Sequence, residues 1–506
     1  MPSPLRSLLH GALLACLAAP LAAPLAAPLA AQLPVAEFAG RRDSLVRSLP
    51  DGVILALGAP EPVPDYIPFR QHPYLLYLTG FTEPGAALVI VKKGADRRDL
   101  LFVQGRDPAR EVWTGARLGV AGVRPRLGLE GRDAANLSTV LDSLLAIHGT
   151  LHVLGDIGSR MTERSLHDQF IDGLRTANPK IEVVDARREA NRLRGRKSPA
   201  ELERIRIASE LSAQGHLAAF AAVQPGVAEF TLQAIAEATW RQAGGDGPAY
   251  GSIVGSGPNA TTLHYNRSER VAQAGEVIVL DMATSYDGYA ADITRTVPVS
   301  GRFSPAQREI YEVVLGAQIA AERQIRLGGQ ARAMTDSATA VLRNGLARLG
   351  LIESPDATYD CGSARQPRTC PQLQLHYMHG LGHGIGLVVH DPEQYTLTGT
   401  FGIGSAFTIE PGIYVRENLL TILPDTPGNR RMAAKIAPAV ARYANIGVRI
   451  EDDYLVTPAG VERVSAAVPR EIEAIEALLA RPRTPLDPAA VRRFLELKTG
   501  RTDPPR

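Results

Sequence analysis

The sequence predicts a chain of mixed α/β class with two domains, and three observations carry that expectation. The chain has 506 residues, more than one compact core ordinarily serves. Between residues 38 and 184, short apolar runs alternate with polar, Gly-containing turns. Over residues 178–202 this pattern gives way to an Arg-rich link, and a fresh helix start follows.

The first 31 residues stand apart. Arg6 precedes an apolar run from Leu8 to Ala19, too short to cross a bilayer, and Pro20, Pro24 and Pro28 would break its continuation. That is the pattern of a secretory signal rather than a transmembrane span, and it implies export to the periplasm or beyond. Leu29-Ala30-Ala31 lacks the small residue expected three places before a cut. Leu13-Leu14-Ala15-Cys16 imperfectly resembles a lipid-attachment box, so anchoring through Cys16 stays open.

Residues 36–190 form the first expected domain, with buried strands at Val53–Leu57, Ala87–Val91 and Leu100–Val103. The second, residues 197–480, begins at Ser198-Pro199-Ala200-Glu201. There Ser caps a helix, Pro takes its first position and Glu follows three residues after the cap. Amphipathic helices are expected first, then a strand-rich region from Gly251 onward. Residues 481–506 read as a loosely packed tail with a short helical pattern near Val491–Leu497.

Composition narrows the function. Lys plus Arg number 55 against 53 Asp plus Glu, which provides no basic field to gather nucleic acid. Only 3 Cys residues exclude a disulfide-rich scaffold. Cys361 and Cys370 could close a small loop in an oxidising compartment or remain free thiols, since spacing alone does not decide.

The chemistry-bearing residues lie in the second domain. Glu276-Val-Ile-Val-Leu-Asp281 is a strand run ending in a carboxylate, and Asp292 sits in a second run, Tyr289–Val297. Asp287-Gly288 between them is a hairpin-turn signal. A turn there places Thr294 opposite Asp281 and brings Asp292 to the same side. Two converging carboxylates must share a proton or hold a cation, unless one merely caps a turn and the other is solvated. Oxygen ligands suit Mn, Mg or Ca, and an added imidazole admits Zn, Co or Fe. His379-Gly-Leu-Gly-His383 and His390-Asp391 cluster three of the 11 His residues. Phe407-Thr-Ile-Glu410 and Val448-Arg449-Ile-Glu451 repeat the strand that ends in an acid. One His and four carboxylates match the inventory of a two-metal hydrolytic site.

On these residues the sequence resembles the pita-bread metallopeptidases. Asp281, Asp292, His383, Glu410 and Glu451 are similar, in order and local string, to that family's five metal ligands. Thr262-Leu-His264-Tyr265 and Asp292-Ile-Thr-Arg-Thr-Val-Pro-Val resemble its Xaa-Pro-specific branch. Phe69-Arg-Gln-His72, Tyr77-Leu-Thr-Gly80-Phe-Thr-Glu-Pro84 and Glu111-Val-Trp113-Thr-Gly-Ala-Arg-Leu-Gly119 resemble the N-terminal domain of aminopeptidase P and prolidase. The resemblance implies an α/β N-terminal domain followed by a pita-bread catalytic domain built on a curved antiparallel sheet.

The resemblance further implies an aminopeptidase acting on proline-containing peptides with two divalent ions, manganese by analogy, bridged by Asp292 and Glu451. Glu410 would carry the proton, and His264, His379 and His390 would orient the peptide. Arg449 would fix Glu451 or a substrate carbonyl. Trp113 would line a neighbouring subunit's site in a dimer or tetramer, or else be an ordinary buried Trp. Two rivals remain. The roughly forty residues between Glu410 and Glu451 suit a prolidase, and a catalytically silent module that binds peptide is the other. Residues 352–371 look like an insertion.

Overall fold

A computed structural model describes residues 33–483, apart from 65–66, 159–163 and 364, with isolated positions beyond. The leader with Cys16 lies outside the described residues, as does most of the expected 491–497 helix. Among the described residues no helix is long and apolar enough to cross a membrane.

The N-terminal unit is a six-stranded sheet in the order Glu130–Asp133, Asp96–Val103, Ala87–Lys93, Gly52–Leu57, Thr150–Leu154, Glu182–Asp185. Gly52–Leu57 pairs antiparallel with Ala87–Lys93 and parallel with Thr150–Leu154, so the sheet is mixed. Alternation sends Ile54 and Ala56 into one core and Val53, Leu55 and Leu57 into another, burying both faces under helices. Residues 178–202 are more ordered than the expected link. Glu182–Asp185 is the sixth strand, and Arg187–Arg194 is a helix whose Ala190 packs into the first core. Its few inward apolar positions among Arg residues leave little periodic signal.

The second unit opens with the helix Pro199–Ala222. Ser198 accepts from the Glu201 N–H, and the Glu201 carboxylate accepts from the Ser198 N–H, closing a reciprocal cap. Behind it the strands are antiparallel: Ile253–Ser256, Val277–Asp281 and Thr294–Pro298 form one sheet, and Ala406–Ile409, Asp452–Thr457 and Gly460–Arg463 another. Gly412–Val415 pairs with Ile446–Arg449, and bridges Thr294–Glu451 and Gly384–Phe407 stitch the pieces into one curved surface. The region beyond Gly251 is not simply strand-rich. Helices Pro305–Glu322, Ala331–Arg348 and Pro427–Tyr443 pack on the strands through the largest core. Pro427–Tyr443 fills the interval between Glu410 and Glu451, which accounts for its length. Cys361 and Cys370 are joined as a disulfide across the hairpin Thr358–Asp360/Thr369–Pro371, with Cα atoms 5.7 Å apart.

Trp113, on the short helix Pro108–Thr114, is 81% exposed. It is therefore not the ordinary buried Trp of the alternative reading.

Candidate metal centre

The first two carboxylates of the site, Asp281 and Asp292, are carried by one hairpin. Asp287 and Gly288 both have positive φ, 50° and 80°, which a two-residue turn of this hand requires. The turn joins Thr284–Tyr286 to Tyr289–Ala290. Beyond it, Thr294 lies opposite Asp281, the register the alternation predicts. The loop carrying His383 then lies against the strand Ala406–Ile409. The His383 N–H donates to Thr408 Oγ1 at 3.1 Å, and the Thr408 N–H donates to the His383 carbonyl at 2.8 Å. Gly382 makes this approach possible, because a Cβ there would sit 2.0 Å from the Thr408 carbonyl oxygen.

All nine residues singled out in the sequence line one cavity of about 540 Å³: Asp281, Asp292, His383, Glu410, Glu451, His264, His379, His390 and Arg449. His383 stands among the acids, with Nε2 at 3.5 Å from Asp292 Oδ2 and 3.3 Å from Glu410 Oε1. Its Nδ1 faces the Gly384 carbonyl at 3.1 Å, so Nδ1 carries the hydrogen and Nε2 is turned to the carboxylates. The His390 ring lies over the His383 ring, centroids 4.0 Å apart.

The electrostatics identify a cation site. Burial pushes Glu410 up to about 7 against the pull of His383, and Asp292 adds to the rise. Burial, then Asp292 and Glu410, raise Glu451 well above the usual carboxylate range. Burial would lower His383, but contact with Asp292 and Glu410 lifts it to about 9. Among the described residues Asp292 Oδ1 is buried without a hydrogen-bond partner. Donor atoms of Asp292, His383 and Glu451 lie within 4.8 Å of one another. Crowded acids held up by burial and then by mutual repulsion, an orphaned carboxylate oxygen and an imidazole whose Nδ1 is committed to a backbone carbonyl are the donor set a divalent cation takes. The residues fit such ions.

Arg449 departs from expectation. It pairs with Asp281 rather than Glu451, and reaches Glu451 only through Thr294, whose hydroxyl accepts from Arg449 Nε at 3.3 Å and donates to Glu451 Oε2 at 2.6 Å. The guanidinium is fixed by the register of three strands, which adjacency in sequence does not reveal. Three further residues were not singled out from the sequence. Tyr414 accepts from Arg449 at 2.9 Å and meets His379 Nε2 at 2.9 Å. Tyr250 donates to Asp281 Oδ1 at 2.7 Å, and the buried Asp453 accepts from the Asp292 N–H at 3.1 Å. Tyr414 lies in the fully buried strand Gly412–Val415 and offered no sequence signal to separate it from core. An isolated Tyr250 offered none either.

Comparison with known proteins agrees with this geometry. The profile of metallopeptidase family M24 matches residues 203–458, and that of the aminopeptidase P N-terminal domain matches residues 38–153. The chain is 33% identical to the Xaa-Pro aminopeptidase of Haemophilus influenzae over 455 residues, 88% of this chain and 98% of that protein. It is 32% identical to the Xaa-Pro aminopeptidase of Escherichia coli over 454 residues, 88% and 97% of the two. A solved structure of Escherichia coli aminopeptidase P in complex with substrate superposes with TM-score 0.73 at 29% identity, over 91% of this chain and all of the other. Aminopeptidase PepP of Pseudomonas aeruginosa superposes with TM-score 0.74 at 31% identity, over 89% and 99%. With these matches carried across both units, the chain belongs to metallopeptidase family M24.

Proposed function

We propose that this chain is a metal-dependent Xaa-Pro aminopeptidase, releasing the N-terminal residue of peptides whose second residue is proline. The observation that carries the reading is the convergence of Asp281, Asp292, His383, Glu410 and Glu451 on one cavity, in a family M24 chain 33% identical to a protein named Xaa-Pro aminopeptidase.

The five residues would hold two divalent ions, manganese by resemblance to the family, from a donor set of four carboxylates and one imidazole that is compatible with it. When bound, such a pair supplies Lewis-acid charge and a water acidified toward neutral pH. Glu410 takes a proton from the attacking water at its carboxylate and passes it to the departing proline nitrogen. His379 serves as a neutral group, because burial pushes it down to about 4. Its Nδ1 faces the Gly380 carbonyl at 2.8 Å, leaving Nε2 to accept from Tyr414. His264, His379 and His390 line the cavity where they can orient the peptide. Arg449 acts by holding Asp281 directly and Glu451 through Thr294. An Xaa-Pro amide has no N–H to satisfy, and Ile253, Leu263 and Val389 give the cavity an apolar lining that suits the proline ring.

Export is part of the proposal, supported by the leader pattern. So is a homo-oligomer, supported by Val112 and Trp113, 80% and 81% exposed side by side.

Manganese-dependent hydrolysis of an Xaa-Pro-Yaa tripeptide and an Xaa-Pro dipeptide tests the reading, with Asp292→Ala as control. Release of the first residue from the tripeptide, lost in the control, is the expected result. Cleavage of the dipeptide alone would make the protein a prolidase. No cleavage of either with metal bound would leave a peptide-binding module.

A further inference from the structure

Asp391 follows His390 in sequence, yet its carboxylate does not serve the metal centre. Its side chain is 2% exposed, with Arg194 on Oδ1 and Lys197 Nζ 3.0 Å from Oδ2. Both cations come from the stretch that joins the two units. Arg194 ends the helix Arg187–Arg194, and its guanidinium stacks 5.0 Å from the Tyr74 ring of the N-terminal unit. Lys197 also donates to the Pro392 carbonyl at 2.7 Å, and its N–H donates to the Gly404 carbonyl at 2.9 Å.

From this clamp Asp391 reaches back to the ligand loop. Its N–H donates to the Gly384 carbonyl at 2.8 Å, one residue from His383. A Cβ on Gly386 would lie 2.5 Å from its carboxylate, so the loop is folded tightly over it. His390 has no comparable hold of its own. Among the described residues no hydrogen bond fixes its imidazole, which rests on the His383 ring. The placement of His390 therefore depends on the backbone of Asp391, and that of Asp391 on two cations from the interdomain joint.

We propose that Asp391 is a positioning residue for the reaction, through which the Arg194 and Lys197 clamp fixes the imidazole of His390 beside the metal centre and couples it to the docking of the N-terminal unit. The proposal rests on the aminopeptidase reading, in which His390 orients the peptide. One carboxylate flanked by two buried cations offsets one of their two charges, so removing its charge leaves the interior more positive and can cost stability. Asp391→Asn keeps the shape, and Arg194→Gln leaves Asp391 paired with Lys197.

The test is a double-mutant cycle on the full chain, measuring kcat and KM on an Xaa-Pro-Yaa tripeptide together with bound manganese. Asp391→Asn and Arg194→Gln are each made in wild type and in His390→Ala. Misplacing a substrate-orienting group costs about 10- to 100-fold in kcat, and that loss is expected in the wild-type background with manganese retained. In the His390→Ala background the same changes should cost less than about twofold, the non-additivity of residues acting through one another. Equal losses in both backgrounds would mark a general structural role and overturn the proposal. So would wild-type rates in both single variants, or loss of manganese. If Asp391→Asn does not fold, the Arg194→Gln cycle decides alone. Wild-type activity in His390→Ala sinks the proposal while leaving the aminopeptidase intact, whereas an inactive wild-type chain sinks the functional reading first.

Discussion

Thr294→Val isolates one hydrogen bond at the centre of the site. Thr294 is fully buried, opposes Asp281 in the hairpin register, and donates to Glu451 Oε2 at 2.6 Å. Valine keeps the branched shape and removes the hydroxyl, so the backbone pairing stays while Glu451 loses its donor and Arg449 Nε its acceptor. A hydrogen bond to a charged acceptor contributes about 1.5–3 kcal/mol. If that energy serves to hold Glu451 toward a cation, its loss weakens manganese binding about 10- to 100-fold, the range found when a partner of a metal ligand is removed. Calorimetric titration of manganese into chelator-stripped protein reads this directly, and thermal unfolding of the stripped protein checks that the fold survives. Unchanged affinity in a folded variant would show that Glu451 either is not a ligand or does not depend on Thr294, and the reasoning would fail.

Two other outcomes follow from the geometry. Gly382→Ala drives a Cβ to 2.0 Å from the Thr408 carbonyl, a backbone atom that cannot yield. Overpacking of this kind costs about 1–3 kcal/mol. The urea midpoint should drop and manganese affinity with it, and a midpoint and affinity equal to wild type would show that the ligand loop need not touch this strand. The second outcome concerns acid. Burial pushes the enclosed His216 and His376 from 6.5 down to about 4. Unfolded imidazoles bind protons in that window that the folded ones refuse, so their share of stability is full above 6.5 and falls as pH drops toward 4. In the metal-free protein the raised Glu410, Glu451 and Asp453 pull the total slope the other way, so the comparison is between variants: in urea unfolding at pH 7 and pH 5, His376→Gln should lose less stability, or gain more, than wild type. A slope unaltered by that substitution would remove His376 from the account.

The site was legible where its chemistry is local. Asp287-Gly288 and the alternation around it give the register of Asp281 against Thr294 without any tertiary knowledge, because a two-residue turn leaves only one pairing. The reciprocal cap at Ser198 and Glu201 is equally local. The same start signal stands at Ser304-Pro305-Ala306-Gln307, where the structure places a second reciprocal cap, and an expectation of strands beyond Gly251 passes over it. What sequence could not show was partnership at a distance. Arg449 sits two residues from Glu451, yet the curvature of the strands hands it to Asp281 and Tyr414. Asp391 stands beside a His cluster and reads as a site residue, but its partners Arg194 and Lys197 come from the stretch that joins the two units, far earlier in the chain. Tyr414, one aromatic in an apolar strand, is indistinguishable from core until its hydroxyl is seen between Arg449 and His379.

The five candidate ligands are strung from Asp281 to Glu451, and only strand pairing and the Gly-rich loop bring them together. No short stretch of the unfolded chain holds the full ligand set, so ions are captured firmly only once the tertiary structure has closed. Loading is thus the last event of maturation rather than the first. The ion species is then selected by the solution in which folding finishes, and a chain threaded unfolded across a membrane would draw its metal from the far side, not from the cytoplasm where it was made.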